Sequence, residues 1–186
     1  MSDCKLAICI PNTGVIKTQT VSSLLRLVKN LRCKYYTLFQ EGSILHAIRE
    51  NLVKTALELK CTHLLFIDSD MVFTEDAFER LLKRNKDIVG VTYNTRKLPT
   101  ERILWKDIKG AKGNFYEVEA VPAGFMLINL KVFKDLQHPW FFWGVDDKGV
   151  PITGEDYWFC TKAREKGFKV WVDKSINIGH LGDFIY

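Results

Sequence analysis

Hydrophobic and polar positions along the chain alternate between two periods, and the switches between them mark out the elements. Residues 5–10 form a compact apolar run that predicts a first strand, ended by the turn-forming Pro11-Asn12-Thr13-Gly14. From Val21 the apolar positions recur at Leu24, Leu25, Val28 and Leu31, a helical stripe with Thr18 or Thr20 as N-cap candidate. Residues 35–39 return to a strand. Ser43 then stands ready to cap a second helix whose apolar face is Ile44, Ile48, Leu52, Ala56 and Leu59. Leu64, Leu65, Phe66 and Ile67 are too few for a helix and suit a strand buried on both faces. Thr74-Glu75-Asp76 offers an N-cap and an acidic first turn to a third helix, with Phe78, Leu81 and Leu82 inward and Lys83 and Arg84 at its end. A short strand over 87–92 completes a β-α-β-α-β-α-β order, which predicts a parallel sheet with right-handed crossovers.

After Thr92 the alternation breaks. Residues 93–113 are polar, carry Pro99 and Trp105, and read as loop or edge structure. Residues 114–118 and 125–128 are short strand candidates, and Asn129 is placed to cap a brief helix. Trp140, Phe141, Phe142 and Trp143 precede a flexible polar loop. Thr153 opens a last helix that ends near Gly167, followed by a strand over 168–172 and a tail containing glycine. No repeat, low-complexity tract or linker interrupts the 186 residues, so one α/β domain is expected.

Composition narrows the classes. An apolar share of 47% is ordinary for a chain that buries a real core. The net charge of +5 comes without a dense basic block, so nucleic acid is not required as a partner, while phosphate-bearing small molecules are compatible. The five cysteines show no Cys-x-x-Cys spacing, and Cys9, Cys33 and Cys61 sit in or beside apolar runs, as reduced core thiols do. No signal peptide and no stretch of membrane-spanning length is visible, so the expectation is a cytoplasmic protein without a transmembrane segment.

The candidate chemistry starts at Asp68-Ser69-Asp70, directly after the apolar strand. Residues i and i+2 of an extended chain point the same way, so both carboxylates can face one cation. In open α/β sheets this position lies in the ligand crevice beyond the carboxyl ends of the strands. The plainer account is that Asp68 caps the next segment and Asp70 is a solvated turn residue. Glu155-Asp156 forms a second acidic pair. Acids at a helix start complement its dipole, but a carboxylate beside glycine and aromatic residues can equally serve as a general base. His180, between Gly179 and Gly182, becomes a metal-ligand candidate only if the tail folds back to Asp70. Trp105, Trp140 and Trp143 suit stacking on a sugar or base, or core filling. Arg49, Arg96 and Lys97 are phosphate-contact candidates or solvated cations. No dinucleotide or P-loop glycine motif is present.

Taken in order, these stretches resemble the GT-A-fold glycosyltransferases, especially the family-2-like enzymes. Residues 8–13 look like the first strand and nucleotide-binding loop, and Arg49 with residues 51–53 looks like the helix before the Asp-x-Asp strand. Residues 63–71 look like that strand and its metal motif, residues 123–128 are similar to the stretch near the donor sugar, and Gly179-His180 resembles the histidine that completes the metal site. Gly154-Glu155-Asp156 is similar to the motif whose acid serves as base. The resemblance implies a GT-A (Rossmann-like) single domain, a central, mostly parallel sheet flanked by helices. It implies a nucleotide-binding half of about 1–92 and an acceptor and metal-completing half of about 93–186.

By the same resemblance the activity is metal-dependent transfer of a sugar from a nucleotide-diphosphate donor to the hydroxyl of a glycan, lipid or protein acceptor. Asp68, Asp70 and His180 would hold Mn2+ or Mg2+. Pro11, Asn12, Thr13, Arg49, Asp68, Ser69 and Gly124 would contact the donor, Trp143 and Glu155 the acceptor, and Asp156 would be the base of an inverting displacement. The chain is short for this fold, which leaves the acceptor region minimal or supplied by another subunit of a homo-oligomer. The loop after Pro11 also lacks the aromatic residue that many relatives place near the nucleobase. Asp68-Ser69-Asp70-Met71-Val72 also resembles the nucleophile motif of haloacid-dehalogenase-type phosphatases, although two strands precede it here rather than none. A non-catalytic nucleotide-sugar-binding module is the third reading.

Overall fold

The computed structural model describes residues 4–96, 99, 101–103, 107–108 and 111–182. The first half follows the alternation read from the sequence: β1 (Lys5–Asn12), α1 (Thr18–Asn30), β2 (Lys34–Glu41), α2 (Leu45–Glu58) and β3 (His63–Ile67). A short β4 (Met71–Val72), α3 (Ala77–Lys83) and β5 (Ile88–Gly90) come next. The second half contains β6 (Tyr93–Asn94), β7 (Arg102–Ile103), β8 (Phe115–Val118), β9 (Phe125–Asn129), α4 (Val132–Asp135), β10 (Gly144–Val145) and β11 (Pro151–Thr153). It closes with α5 (Glu155–Glu165), β12 (Val170–Asp173) and β13 (Gly179–His180).

Seven strands form the central sheet in the order β2-β1-β3-β9-β5-β12-β8. Five of them run the same way, and β9 and β8 run against them. The expected parallel sheet therefore stands in direction but not in adjacency. β9 inserts between β3 and β5, pairing Phe66 with Met126 on one side and Val89 with Leu127 on the other. Small and apolar residues through this stretch allow the insertion, because a central strand is buried on both faces.

The sheet separates two cores, and the strand period of two assigns residues to each. Along β1, Leu6, Ile8 and Ile10 join a core with Leu24 and Leu27 of α1 and Phe78 and Leu81 of α3. Ala7 and Cys9 join the opposite core with Leu52 of α2 and Phe159 of α5. Each fully buried leucine or phenylalanine contributes about 1.5–3 kcal/mol of transfer free energy, so these faces dominate the fold.

The predicted helix caps are corrected. The N-cap positions fall at Lys17, Ile44, Asp76 and Gly154 rather than at Thr18, Ser43, Thr74 and Thr153, and none of the four makes a side-chain cap bond. Thr20 is buried and donates instead to the Ser69 carbonyl at 3.1 Å, and Ser23 accepts from Phe73 N at 3.3 Å. These polar contacts turn α1 so that Leu25 and Val21 are exposed while Thr20 and Ser23 face inward. Thr153 belongs to β11, and α5 begins at Glu155. Asn129 ends β9 and accepts from Lys131 N, turning the chain ahead of α4 rather than capping it. No helix among the described residues is long and apolar enough to cross a membrane.

Candidate active site

The carboxyl ends of β1 and β3 open on a cleft of about 360 Å³. Pro11, Asn12 and Thr13 line one wall, Asp68, Ser69 and Asp70 the floor, and Arg96 and His180 the far rim. Asn12 is already committed: Nδ2 donates to Gln40 O at 3.2 Å, and Oδ1 accepts from Gly14 N at 2.9 Å. It shapes the loop and so presents Pro11 and Thr13. The Ser69 carbonyl accepts from Lys17 N at 2.9 Å and so anchors the start of α1 to the Asp-Ser-Asp turn.

The tail does fold back. β13 pairs antiparallel with β4, with His180 opposite Met71, and Leu181 N donates to Asp70 O at 2.9 Å. His180 Nε2 comes to 3.4 Å from Asp70 Oδ2, and Arg96 donates to the same oxygen at 2.9 Å. Burial favours the neutral Asp70 carboxyl, but the His180 hydrogen bond and charge, with Arg96, outweigh it and hold Asp70 below the ordinary carboxylate range. Burial likewise opposes charge on His180, yet Asp70 and the Asn94 carbonyl raise it above its usual value. A carbonyl only accepts, so the 2.9 Å contact between His180 Nδ1 and Asn94 O places a proton on Nδ1. With Nδ1 held by a carbonyl, Nε2 is the nitrogen turned toward Asp70.

Arg49 is not a solvated cation. It is 1% exposed, donates to Asp68 Oδ1 at 2.8 Å and to Glu155 Oε1 at 3.1 Å, and lies over the Phe66 ring. Burial disfavours its charge, but the two carboxylates overcome this and keep it cationic. The guanidinium joins the two acidic motifs rather than reaching out for phosphate. Glu155, expected at the acceptor, is buried in this pair instead. Asp68 is shared between the clamp and the cleft floor.

Asp156 follows Glu155 at the start of α5. Its Oδ1 accepts from Tyr157 N at 2.8 Å and its Oδ2 from Ala123 N at 3.4 Å. Burial and the neighbouring Glu155 carboxylate raise it to about 6, against the pull of Arg49 and the backbone amides. A carboxylate so tuned is a competent base near neutral pH.

Tyr93 opens the short edge strand β6 in the stretch expected as loop or edge structure, and it is buried between Gly124 and His180. Its hydroxyl accepts from Gly124 N at 3.1 Å, and its ring meets His180 edge-on with centroids 5.1 Å apart. Burial, Asp68 and Asp156 push its phenol well above the ordinary value. Gly124 is required by this packing, since a Cβ there would run into the Tyr93 hydroxyl and Met71 Cε. No local spacing announces Tyr93; only its position straight after a buried strand could have drawn attention to it.

The aromatic candidates divide. Trp143 is 42% exposed, whereas Trp140 is buried against His138 and Phe133 with Nε1 donating to Leu136 O. Trp105 and Lys97 lie outside the described residues. Among the described residues no cluster of three or more His, Cys, Asp or Glu side chains is disposed to hold a metal ion. Asp70 and His180 are thus a pair, and a cation there would complete its shell with other oxygens.

Neither a family model nor a curated protein sequence matches the chain. Solved structures do. The chain superposes on A197 from STIV with a TM-score of 0.70 and 22% identity, covering 97% of this chain and 86% of that one. It superposes on GalNAc-T7, solved with UDP, GalNAc and Mn2+, with a TM-score of 0.56 and 12% identity, covering 97% of this chain and 44% of that one. At these identities the likeness is one of fold. The chain has the α/β architecture of a GT-A glycosyltransferase, a seven-stranded, mostly parallel sheet flanked by helices.

Proposed function

We propose that this chain is a metal-dependent glycosyltransferase that moves a sugar from a nucleotide-diphosphate donor to an acceptor hydroxyl. The supporting observation is the Asp68–Arg49–Glu155 clamp, which ties the Asp-Ser-Asp turn at the cleft floor to the helix start bearing Asp156. A base and a cation site are thereby coupled through one buried cation.

Asp70 and His180 would hold Mn2+ or Mg2+, with donor phosphate and water completing an oxygen-rich shell. When bound, the ion would act as a Lewis acid that neutralises charge on the departing nucleoside diphosphate. Pro11, Thr13 and Ser69 line the donor's path, and Asp68, fixed by Arg49, keeps its second oxygen for the cleft. Arg96, with its side chain 54% exposed, is placed to exchange Asp70 for a donor phosphate. Asp156 takes the proton of the acceptor hydroxyl, giving displacement with inversion. Its two backbone donors hold its orientation, and Trp143 offers an exposed ring for an acceptor sugar. The Asp68 carboxylate is engaged by Arg49, which disfavours its use as the nucleophile of a phosphatase.

The test is a thermal-shift panel of UDP-, GDP-, CMP- and dTDP-sugars, each with and without Mn2+. A ligand that binds only the folded state raises the unfolding midpoint. A metal-dependent rise with one nucleotide class, followed by sugar transfer or donor hydrolysis in solution, supports the proposal. No shift with any donor, or hydrolysis of phosphomonoesters with an aspartyl-phosphate trapped, would overturn it. Binding that persists without turnover and is indifferent to Asp156→Ala would mark a binding module.

A further inference from the structure

The end of the sheet remote from the cleft carries two thiols in register. β1 and β2 run parallel with Lys5 opposite Lys34, so Cys4 and Cys33 stand one step earlier in the same alignment. Register partners in such a pair point to the same face, with strands about 4.8 Å apart. A disulfide spans Cα separations of about 4.4–6.8 Å. Both thiols are free and partly buried, and both line a small cavity with Arg32, Phe78, Glu79 and Leu82. Both side chains pack against the same apolar core, the one built on Leu6, Leu27 and Phe78. Cys4 Sγ also lies 3.8 Å from His63 Nδ1, and Thr62 Oγ1 lies 2.9 Å from that nitrogen.

We propose that Cys4 and Cys33 form a redox-active dithiol that closes to an intrachain disulfide, stapling the start of β1 to the start of β2. The oxidant is a small-molecule disulfide such as oxidised glutathione. Cys33 gives its proton to solvent and its thiolate attacks one of the disulfide sulfurs, forming a mixed disulfide and releasing one glutathione thiolate, which takes a proton back from solvent. Cys4 then gives its proton to His63 Nδ1 and attacks the Cys33 sulfur. The Cys4–Cys33 bond forms as the mixed disulfide breaks, and the second glutathione leaves and takes up that proton. Two cysteine thiols are oxidised and one glutathione disulfide is reduced to two thiols.

The order of attack follows from the surroundings. Burial and the adjacent Cys33 push the Cys4 thiol up to about 12, so Cys4 keeps its proton until a base removes it. Burial holds His63 below its ordinary value, against the pull of Asp87, so the imidazole is neutral and can accept. Cys9 and Cys61 face the opposite core and Cys160 lies there too, so the sheet separates them from this pair.

The experiment treats the intact native chain with oxidised glutathione, alkylates the remaining thiols after unfolding, and maps the peptides by mass spectrometry. The expected product is a Cys4–Cys33 linked peptide, with Cys9, Cys61 and Cys160 alkylated, and it is reversed by dithiothreitol. The oxidised protein should also melt several degrees above the reduced one, since the bond closes a loop of about 30 residues in the unfolded chain. Cys4→Ser and Cys33→Ser should each remove that difference, while Cys160→Ser should leave it. A stable glutathione adduct on Cys33 with no linked peptide, a bond between other cysteines, or all thiols still free would overturn the proposal.

Discussion

His180 Nε2 lies 3.4 Å from Asp70 Oδ2, although the two residues come from distant parts of the chain. A two-residue pairing of β13 with β4 carries the contact, and the Asn94 carbonyl sets the tautomer of the ring. A carboxylate and an imidazole nitrogen are thus brought to one cleft without any local sequence motif joining them.

If this pair receives the cation, its members are not interchangeable with neutral partners. Asp70→Asn should abolish the Mn2+-dependent part of the donor thermal shift. His180→Ala should weaken Mn2+ affinity by about 10-fold or more, in line with the sensitivity of metal sites to their ligands and orienting groups. Isothermal titration with Mn2+ in the presence of donor reads both. Unchanged affinity in Asp70→Asn would remove Asp70 from the site.

Asp156 makes the pH dependence specific. Its folded value of about 6 lies above the ordinary carboxylate value of 3.8, so the folded state binds this proton more tightly than the unfolded state. Its ionisation therefore costs stability progressively as pH rises from about 4 to about 6, and the cost stays constant above. Asp156→Asn should raise the unfolding free energy at pH 7.5 by on the order of 1–3 kcal/mol and change it little below about pH 4. Denaturant titrations across that range measure it.

The same carboxylate should set the acid limb of activity. The base form disappears below pH 6, so kcat/KM should fall about tenfold per pH unit there. Asp156→Asn should reduce kcat by roughly 10²–10⁴ while leaving donor-induced stabilisation intact. Equal loss of donor binding would move Asp156 from base to binding residue.

Arg49 is the most consequential buried side chain. Arg49→Ala leaves Asp68 and Glu155 without their shared cation, and breaking a buried ion pair from one side costs about 3–5 kcal/mol. Arg49→Lys should recover only part of this, because an ammonium lacks the planar fork that serves both carboxylates. Chemical denaturation compares the three proteins, and a loss below about 1 kcal/mol in Arg49→Ala would show the clamp to be dispensable.

Gly124 tests the packing around Tyr93. Gly124→Ala should destabilise by about 1–3 kcal/mol, the usual cost of forcing a methyl group into a filled core. Combining it with Tyr93→Phe, which removes the nearest atom, should give a loss smaller than the sum of the single effects. Strict additivity in that double-mutant cycle would mean the hydroxyl is not the obstacle.

Much of this protein was legible in its local pattern. Periods of two and 3.6 located β1, α1, β2, α2, β3 and α3, and an apolar run ending in Asp68-Ser69-Asp70 marked the end of a buried strand. These features are short-range, because burial imprints its period on neighbouring residues. The tertiary structure alone decided the rest. β9 entered between β3 and β5, His180 met Asp70 through β13, and Arg49 turned inward to two carboxylates rather than outward to phosphate. Strand insertion, a two-residue ladder and an ion pair each depend on which distant segment arrives alongside, and they leave no period in the sequence. Hydrophobic patterning located the elements and most of the core, while non-local hydrogen bonds and charge pairing drew Thr20, Ser23 and Arg49 inside and determined which polar residues share a site.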